Sequence, residues 1–180
     1  ASYDVEADSK VIQGIAATTY SHKGLIPNTP HTYRVRAVNK GGAGEWSDLL
    51  SKDTLPEPPG VPEGLQVKEM TKETVTLTWN PTDRAELYDI EADGAIIGST
   101  AETTYTHIGL TADTEHKYRV KARNRGGESG WTAELATRTL PEKPGIPNNV
   151  TATAGTKEIT ISWDNAERAV SYDLDADGAI

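Results

Sequence analysis

The sequence predicts an all-β chain of antiparallel β-sandwich modules in tandem, and three observations predict it. A motif returns at near-constant spacing: Tyr3-Asp4-Val5-Glu6-Ala7-Asp8 recurs from Tyr88 to Asp93 and again from Tyr172 to Asp177, 85 and then 84 residues further on. Within each repeat, apolar and polar residues alternate with period two, the pattern of a half-buried strand. Turn-forming Gly, Pro, Asn and Asp punctuate these runs, and no helical period of 3.6 appears.

Residues 1–55 align without a gap to residues 86–140, with 26 of 55 positions identical. Pro144-Gly145-Ile146-Pro147 then repeats Pro59-Gly60-Val61-Pro62. Trp163 follows as Trp79 does, one residue sooner, and the lost residue falls in a polar hairpin loop near Met70–Glu73. The chain therefore divides into the back part of a repeat (1–55, strands C to G), one complete repeat (59–140) and the front part of another (144–180, strands A to C). The junctions, Pro56 to Pro62 and Pro141 to Pro147, are dense in proline and predict semi-rigid spacers.

In the complete repeat, strand A is expected over 64–69, carrying Leu65 and Val67. Strand B spans 73–80, with Val75, Leu77 and Trp79 opposite Thr74, Thr76 and Thr78. Strand C spans 87–93 and alternates Tyr88, Ile90 and Ala92 with Asp89, Glu91 and Asp93. A short strand E at 103–107 precedes strand F at 116–124, where Tyr118, Val120 and Ala122 alternate with Arg119, Lys121 and Arg123. Strand G, 131–139, opens on Trp131 and closes the module.

The strand-B tryptophan, Leu110 leading into Tyr118, Val120, Ala122 and Asn124, and the following Gly126-Gly127 resemble a fibronectin type III module. The same frame stands in the first part as Leu25, Tyr33, Val35, Ala37, Asn39 and Gly41-Gly42. The resemblance implies an immunoglobulin-like sandwich and covers the whole chain. This version looks like the repeats strung along bacterial cell-surface proteins and secreted polysaccharide-degrading enzymes. Trp79, Tyr88, Leu110, His116, Tyr118, Val120 and Trp131 are the structural residues it implies. One departure is visible: His116 and His31 occupy the position of the family's corner tyrosine, and an imidazole N–H is expected to bond back to the loop backbone in its place.

Composition narrows the function. The formal net charge is -9, which repels phosphate backbones, and no Lys/Arg cluster reverses this locally, so nucleic acid is not an expected partner. The chain has no Cys, hence no disulfide, thiolate metal site or thiol nucleophile. No apolar run is long enough to span a membrane as a helix. The sequence lacks an initiator Met and an export signal, so it is expected to be a window on a longer protein.

Asp89, Glu91 and Asp93 are the candidate calcium ligands, and the run Asp173-x-Asp175-x-Asp177-Gly178 resembles the start of an EF-hand loop. The twelfth-position Glu that such a loop needs is Thr100 in the central repeat. Successive carboxylates on one strand face also stand roughly 7 Å apart, too far to chelate one ion. Pairing with Arg119, Lys121 and Arg123 of strand F is the stronger expectation. Trp46 and Trp131 are expected to stack on strand-F cations such as Arg34 or Arg119, or else to offer a sugar platform.

The four histidines form two duplicated pairs, His22 with His107 and His31 with His116, read as structural positions with no acidic partner at ligand spacing. Gly41-Gly42 and Gly126-Gly127 read as hairpin turns. Catalytic triads, phosphate loops and an Arg-Gly-Asp triplet are absent, while Asn149-Val150-Thr151 fits a glycosylation sequon. No catalytic residue, cofactor or metal is assigned. The expected role is a spacer, stalk or filament element at the cell surface or outside the cell, its partial repeats completed head to tail by neighbouring repeats or copies. The alternative is an adhesive or carbohydrate-binding module on a secreted polysaccharide-degrading enzyme, its partner a polysaccharide or a host surface.

Overall fold

Alternation organises the core strands of the computed structural model, which describes residues 2–176. In the leading part the strands are β1 (Ser2–Ala7), β2 (Lys10–Ile15), β3 (Pro30–Asn39), β4 (Gly42–Ala43) and β5 (Leu50–Asp53). The central module holds β6 (Gln66–Met70), β7 (Thr74–Thr78), β8 (Leu87–Ala92), β9 (Ala95–Thr100), β10 (Thr104–Ile108), β11 (Glu115–Asn124), β12 (Gly127–Glu128) and β13 (Leu135–Arg138). A hairpin of β14 (Thr151–Ala154) and β15 (Ile159–Ser162) follows. No helix occurs among the described residues, so none is long and apolar enough to cross a membrane.

The central module is a two-sheet antiparallel sandwich. One sheet runs β10-β7-β6, and the other runs β9-β8-β11, with β12 and β13 both on the far edge of β11. The inward residues of the two sheets, Val75, Leu77 and Trp79 against Tyr88, Ile90, Ala92, Tyr118, Val120 and Ala122, form one buried cluster. Trp79 and Tyr88 meet edge to face with centroids 5.5 Å apart, and Leu110 packs on the rim. Burial of each of the larger aliphatic side chains contributes about 1.5–3 kcal/mol.

Two elements depart from the sequence reading. β9 was not expected, because Ala95-Ile96-Ile97-Gly98 does not alternate cleanly. It pairs with β8 across an irregularity between Ile90 and Glu91, after a tight turn at Asp93 (φ 52°) and Gly94 (φ 85°). An Asp-Gly turn of this kind is itself a hairpin signal. The expected last strand is broken instead of continuous: Trp131 and Thr132 leave the ladder, although the Thr132 N–H still reaches the Val120 carbonyl at 2.9 Å.

The flanking parts keep only strands whose partners lie in the same part. β2-β1-β3-β4, with β5 also on β3, reproduces the second sheet of the module. Residues 19–23 align with β10 yet form no strand, because β10 pairs with β7 and no equivalent of β7 precedes them here. The same holds at 172–175, which align with β8 but lack a partner like β11; a single bridge at Ala176 is all that forms. Asp177 and Gly178, the end of the EF-hand-like run, lie outside the described residues. The uncovered sheet shows its apolar side: Val35 is 42% exposed, whereas Val120, its equivalent, is 0% exposed.

Candidate functional site

Strand register builds a charge ladder on the outer face of the second sheet. β8 and β11 pair Glu91 with Arg119 and Asp89 with Lys121. Arg119 grips Glu91 with Nε 2.9 Å from Oε1 and Nη2 2.7 and 2.8 Å from the two oxygens. Asp89 Oδ1 accepts from Arg123 Nε at 3.0 Å and from the Ser99 hydroxyl at 2.5 Å, while Lys121 Nζ stands 3.8 Å from Asp89 Oδ2 and also bonds Glu128. Burial opposes ionisation of Asp89, yet the Ser99 hydroxyl and the Arg123 guanidinium outweigh it and hold the carboxyl below its ordinary value.

Trp131 roofs this ladder, 5.4 Å from the Arg119 guanidinium and 5.1 Å from Lys121 Nζ. Trp46 does the same over Arg34 (5.0 Å) and Arg36 (4.6 Å), which pair with Glu6 and Asp4. The expected stacking and pairing are therefore present in both copies. Asp89 and Glu91 spend their oxygens on these cations and on the Ser99 hydroxyl, Asp93 spends its own on donors from β11, and the three are not grouped as metal ligands among the described residues.

Asp93 turns a different way. Its left-handed backbone brings Oδ2 within 2.7 Å of His116 Nδ1, while Oδ1 accepts the Lys117 N–H at 2.9 Å. Asp8 repeats this with His31 (2.6 Å) and the Thr32 N–H (2.9 Å). His31 and His116 thus do have acidic partners, against the sequence reading, because each pair is closed across strands by a turn 23 residues away, whereas His22 and His107 face the Tyr33 and Tyr118 hydroxyls. Nor does the imidazole take over the corner bond to the loop. Thr139, 2% exposed, does so: its hydroxyl donates to the Thr111 carbonyl at 2.6 Å and accepts the Thr114 N–H at 3.0 Å. Thr54 repeats this with Ile26 and Thr29, and its recurrence in both copies was the available signal. Tyr118, fully buried, has its hydroxyl 3.0 Å from His107 Nδ1, and burial pushes its pKa up to about 12.

The glycine turns hold the joints. Asn124 Nδ2 donates to the Glu57 carbonyl at 2.8 Å and the Arg84 carbonyl at 3.0 Å, tying the linker to the central module. Gly126 lies against Pro56, and Gly127 against Pro58. At the opposite pole the Leu140 N–H reaches the Thr71 carbonyl at 3.1 Å, and Lys72 Nζ pairs with Glu142 at 3.0 Å. Read from sequence as simple hairpin turns, Gly126 and Gly127 are also docking points for the preceding linker.

These features define a class: immunoglobulin-like antiparallel β-sandwich modules strung on docked, proline-rich linkers. Residues 60–138 match the family described as "Fibronectin type III domain", and the central module belongs to that family. The chain is 34% identical over 158 residues to exoglucanase B of Cellulomonas fimi, a match spanning 81% of this chain and 14% of that protein. It is 41% identical over 88 residues to an alpha-amylase of Niallia circulans, spanning 47% of this chain and 7% of the amylase. Among solved structures, the chicken CNTN1 FN1–FN3 domains superpose with a TM-score of 0.60 at 18% identity over 77% of this chain and 53% of that one, a likeness of fold alone.

Proposed function

We propose that this segment is a non-catalytic spacer of an extracellular or cell-surface protein, setting the distance and angle between what lies on either side. The observation that carries the reading is the docked linker, with Asn124 bonded to the Glu57 carbonyl and Pro56 seated on Gly126. A linker held at both poles of a module resists bending, as a stalk must. The small share that the chain spans of the exoglucanase and of the amylase supports an accessory role beside other domains. Because the chain has no cysteine, introduced pairs label cleanly. Spin labels at Lys10→Cys and Glu102→Cys, on adjacent parts, are expected to give one narrow distance distribution. A broad distribution would end the spacer reading.

The names of these two relatives favour a second reading, a module attached to a polysaccharide-degrading enzyme that itself grips the polymer. The cation-stacked faces of Trp46 and Trp131 weigh against a sugar platform there. Retention of the chain on insoluble cellulose or starch would favour this reading over the spacer.

Neighbouring repeats, or copies of this chain joined head to tail, are the proposed cover for the exposed apolar face around Val35, with a hairpin like β14–β15 as the contributed piece. Sedimentation of the 180-residue chain over a concentration series tests the joining of copies: open-ended association supports it, and a monomer at all concentrations rejects it and leaves only neighbouring repeats as the cover.

A further inference from the structure

Asp8, His22 and His31 each place one potential ligand atom within 4.8 Å of the other two, and no other such trio of His and acidic residues occurs among the described residues. Asp8 sits in the β1–β2 turn with φ 49°, His22 precedes β3, and His31 is the second residue of β3. The hydrogen bonds around His31 constrain its protons. Its Nε2 is 3.0 Å from the Thr29 hydroxyl, and that hydroxyl donates its own hydrogen to the Ile26 carbonyl at 2.5 Å. Thr29 must therefore accept, so Nε2 carries a hydrogen. Nδ1 then faces the Asp8 carboxylate at 2.6 Å, and the contact is favourable only with a positive charge between them, a second proton or a metal ion. His22 Nδ1 lies 3.3 Å from the Tyr33 hydroxyl, an outer partner that orients the ring and leaves Nε2 for a ligand bond.

We propose that Asp8, His22 and His31 form a binding site for a borderline divalent transition-metal ion, zinc or a close neighbour, with water completing the coordination. Two imidazoles and one carboxylate suit zinc, copper or nickel, whereas calcium and magnesium demand more oxygen ligands. Ligands about 2 Å from a tetrahedral ion stand about 3.3 Å apart. Asp8 and His31 therefore part slightly from 2.6 Å, and His22 swings in. Asp8 is exposed, so the ion has an open path.

The central module carries the same residue types at Asp93, His107, His116 and Tyr118, and it provides an internal control. There His116 Nε2 is buried with no partner, so no hydroxyl forces a hydrogen onto it. A neutral ring with its hydrogen on Nδ1 satisfies Asp93 at 2.7 Å without an ion. The proposal therefore assigns one principal site per chain, in residues 1–55.

Calorimetric titration of the whole chain with zinc at neutral pH, paired with long-range 1H–15N spectra of the histidine rings, tests this. Saturable binding near one ion per chain is expected, with the His22 and His31 ring nitrogens shifting first and calcium producing no response. His22→Gln and Asp8→Asn are each expected to weaken binding by about tenfold or more, with the backbone spectrum otherwise retained. Absence of saturable binding below about 1 mM zinc, or shifts that begin at His107 and His116, would overturn the assignment. So would unchanged affinity in a folded His22→Gln chain. If the variants lose their fold, the ring shifts of the unaltered chain decide alone.

Discussion

Gly126 sits so tightly against Pro56 that a Cβ on it would stand 1.8 Å from the Pro56 carbonyl oxygen. Backbone cannot yield to that contact as a flexible side chain would, so Gly126→Ala must lift the linker off the turn. The labels at Lys10→Cys and Glu102→Cys are expected to report a broadened or shifted distance in this variant. The unfolding free energy of the central module should change by only about 1 kcal/mol or less, since its core is untouched.

Arg119 and Arg84 separate an interior ion pair from a superficial one. Arg119→Ala strips Glu91, 9% exposed, of a two-pronged partner and removes a cation from beneath Trp131. A loss of about 1–3 kcal/mol is expected by denaturant unfolding, discounted for the partial exposure of Arg119. Arg84→Ala breaks an exposed 3.7 Å pair with Glu57 and should cost about 0.5 kcal/mol or less.

Val120 and Val35 are the same residue at the same strand position, one covered by a facing sheet and one not. Val120→Ala is expected to destabilise the central module by about 1.5–3 kcal/mol. Val35→Ala should change the unfolding of residues 1–55 by a small fraction of that. Equal effects would mean that the leading sheet is covered in solution, which the sedimentation experiment would then show as association.

Acid should weaken the central module in two steps. Burial and the neighbouring His116 hold the His107 imidazole below its ordinary 6.5, so the folded state resists a proton that the unfolded chain accepts. Stability is therefore full above about pH 6.5 and declines as pH falls from there toward the folded value. Asp93 resists its burial through the His116 hydrogen bond and the Lys117 N–H, and its carboxyl is lowered below 3.8; Asp113 is lowered by Arg138. These contributions persist above about pH 3.8 and vanish as pH drops through the folded values. Melting temperature followed from neutral to acid pH should show both declines, and His107→Gln should abolish the first.

The parts of the fold legible in sequence are those encoded by neighbours two residues apart. Tyr118, Val120 and Ala122 alternate with cations, and all three are 0% exposed. The ladder was legible for the same reason, since two strands of opposite charge sharing a register must meet on one face. Contacts closed by backbone conformation were not legible. Asp93 reaches His116 only because residue 93 adopts a left-handed turn, and Thr139 assumes the corner role through a bond spanning 28 residues. Asn124 meets Glu57 across 67 residues, a distance over which local patterning carries no information.

Segment 19–23 stays unpaired for want of a β7 equivalent, and segment 172–175 for want of a β11 equivalent, which bears on the order in which a nascent repeat assembles. Emerging from a ribosome, the β6–β7 hairpin is delivered first and must wait, one side bare, until β11 has been synthesised some 40 residues later. Each repeat thus passes through an interval in which its sticky hairpin is solvent-facing while a neighbour sharing 26 of 55 aligned residues folds upstream. The likeness of strand pattern between adjacent copies then becomes a hazard of strand exchange, and the docked linker, by holding the completed neighbour at a set angle, limits the encounters that would permit it.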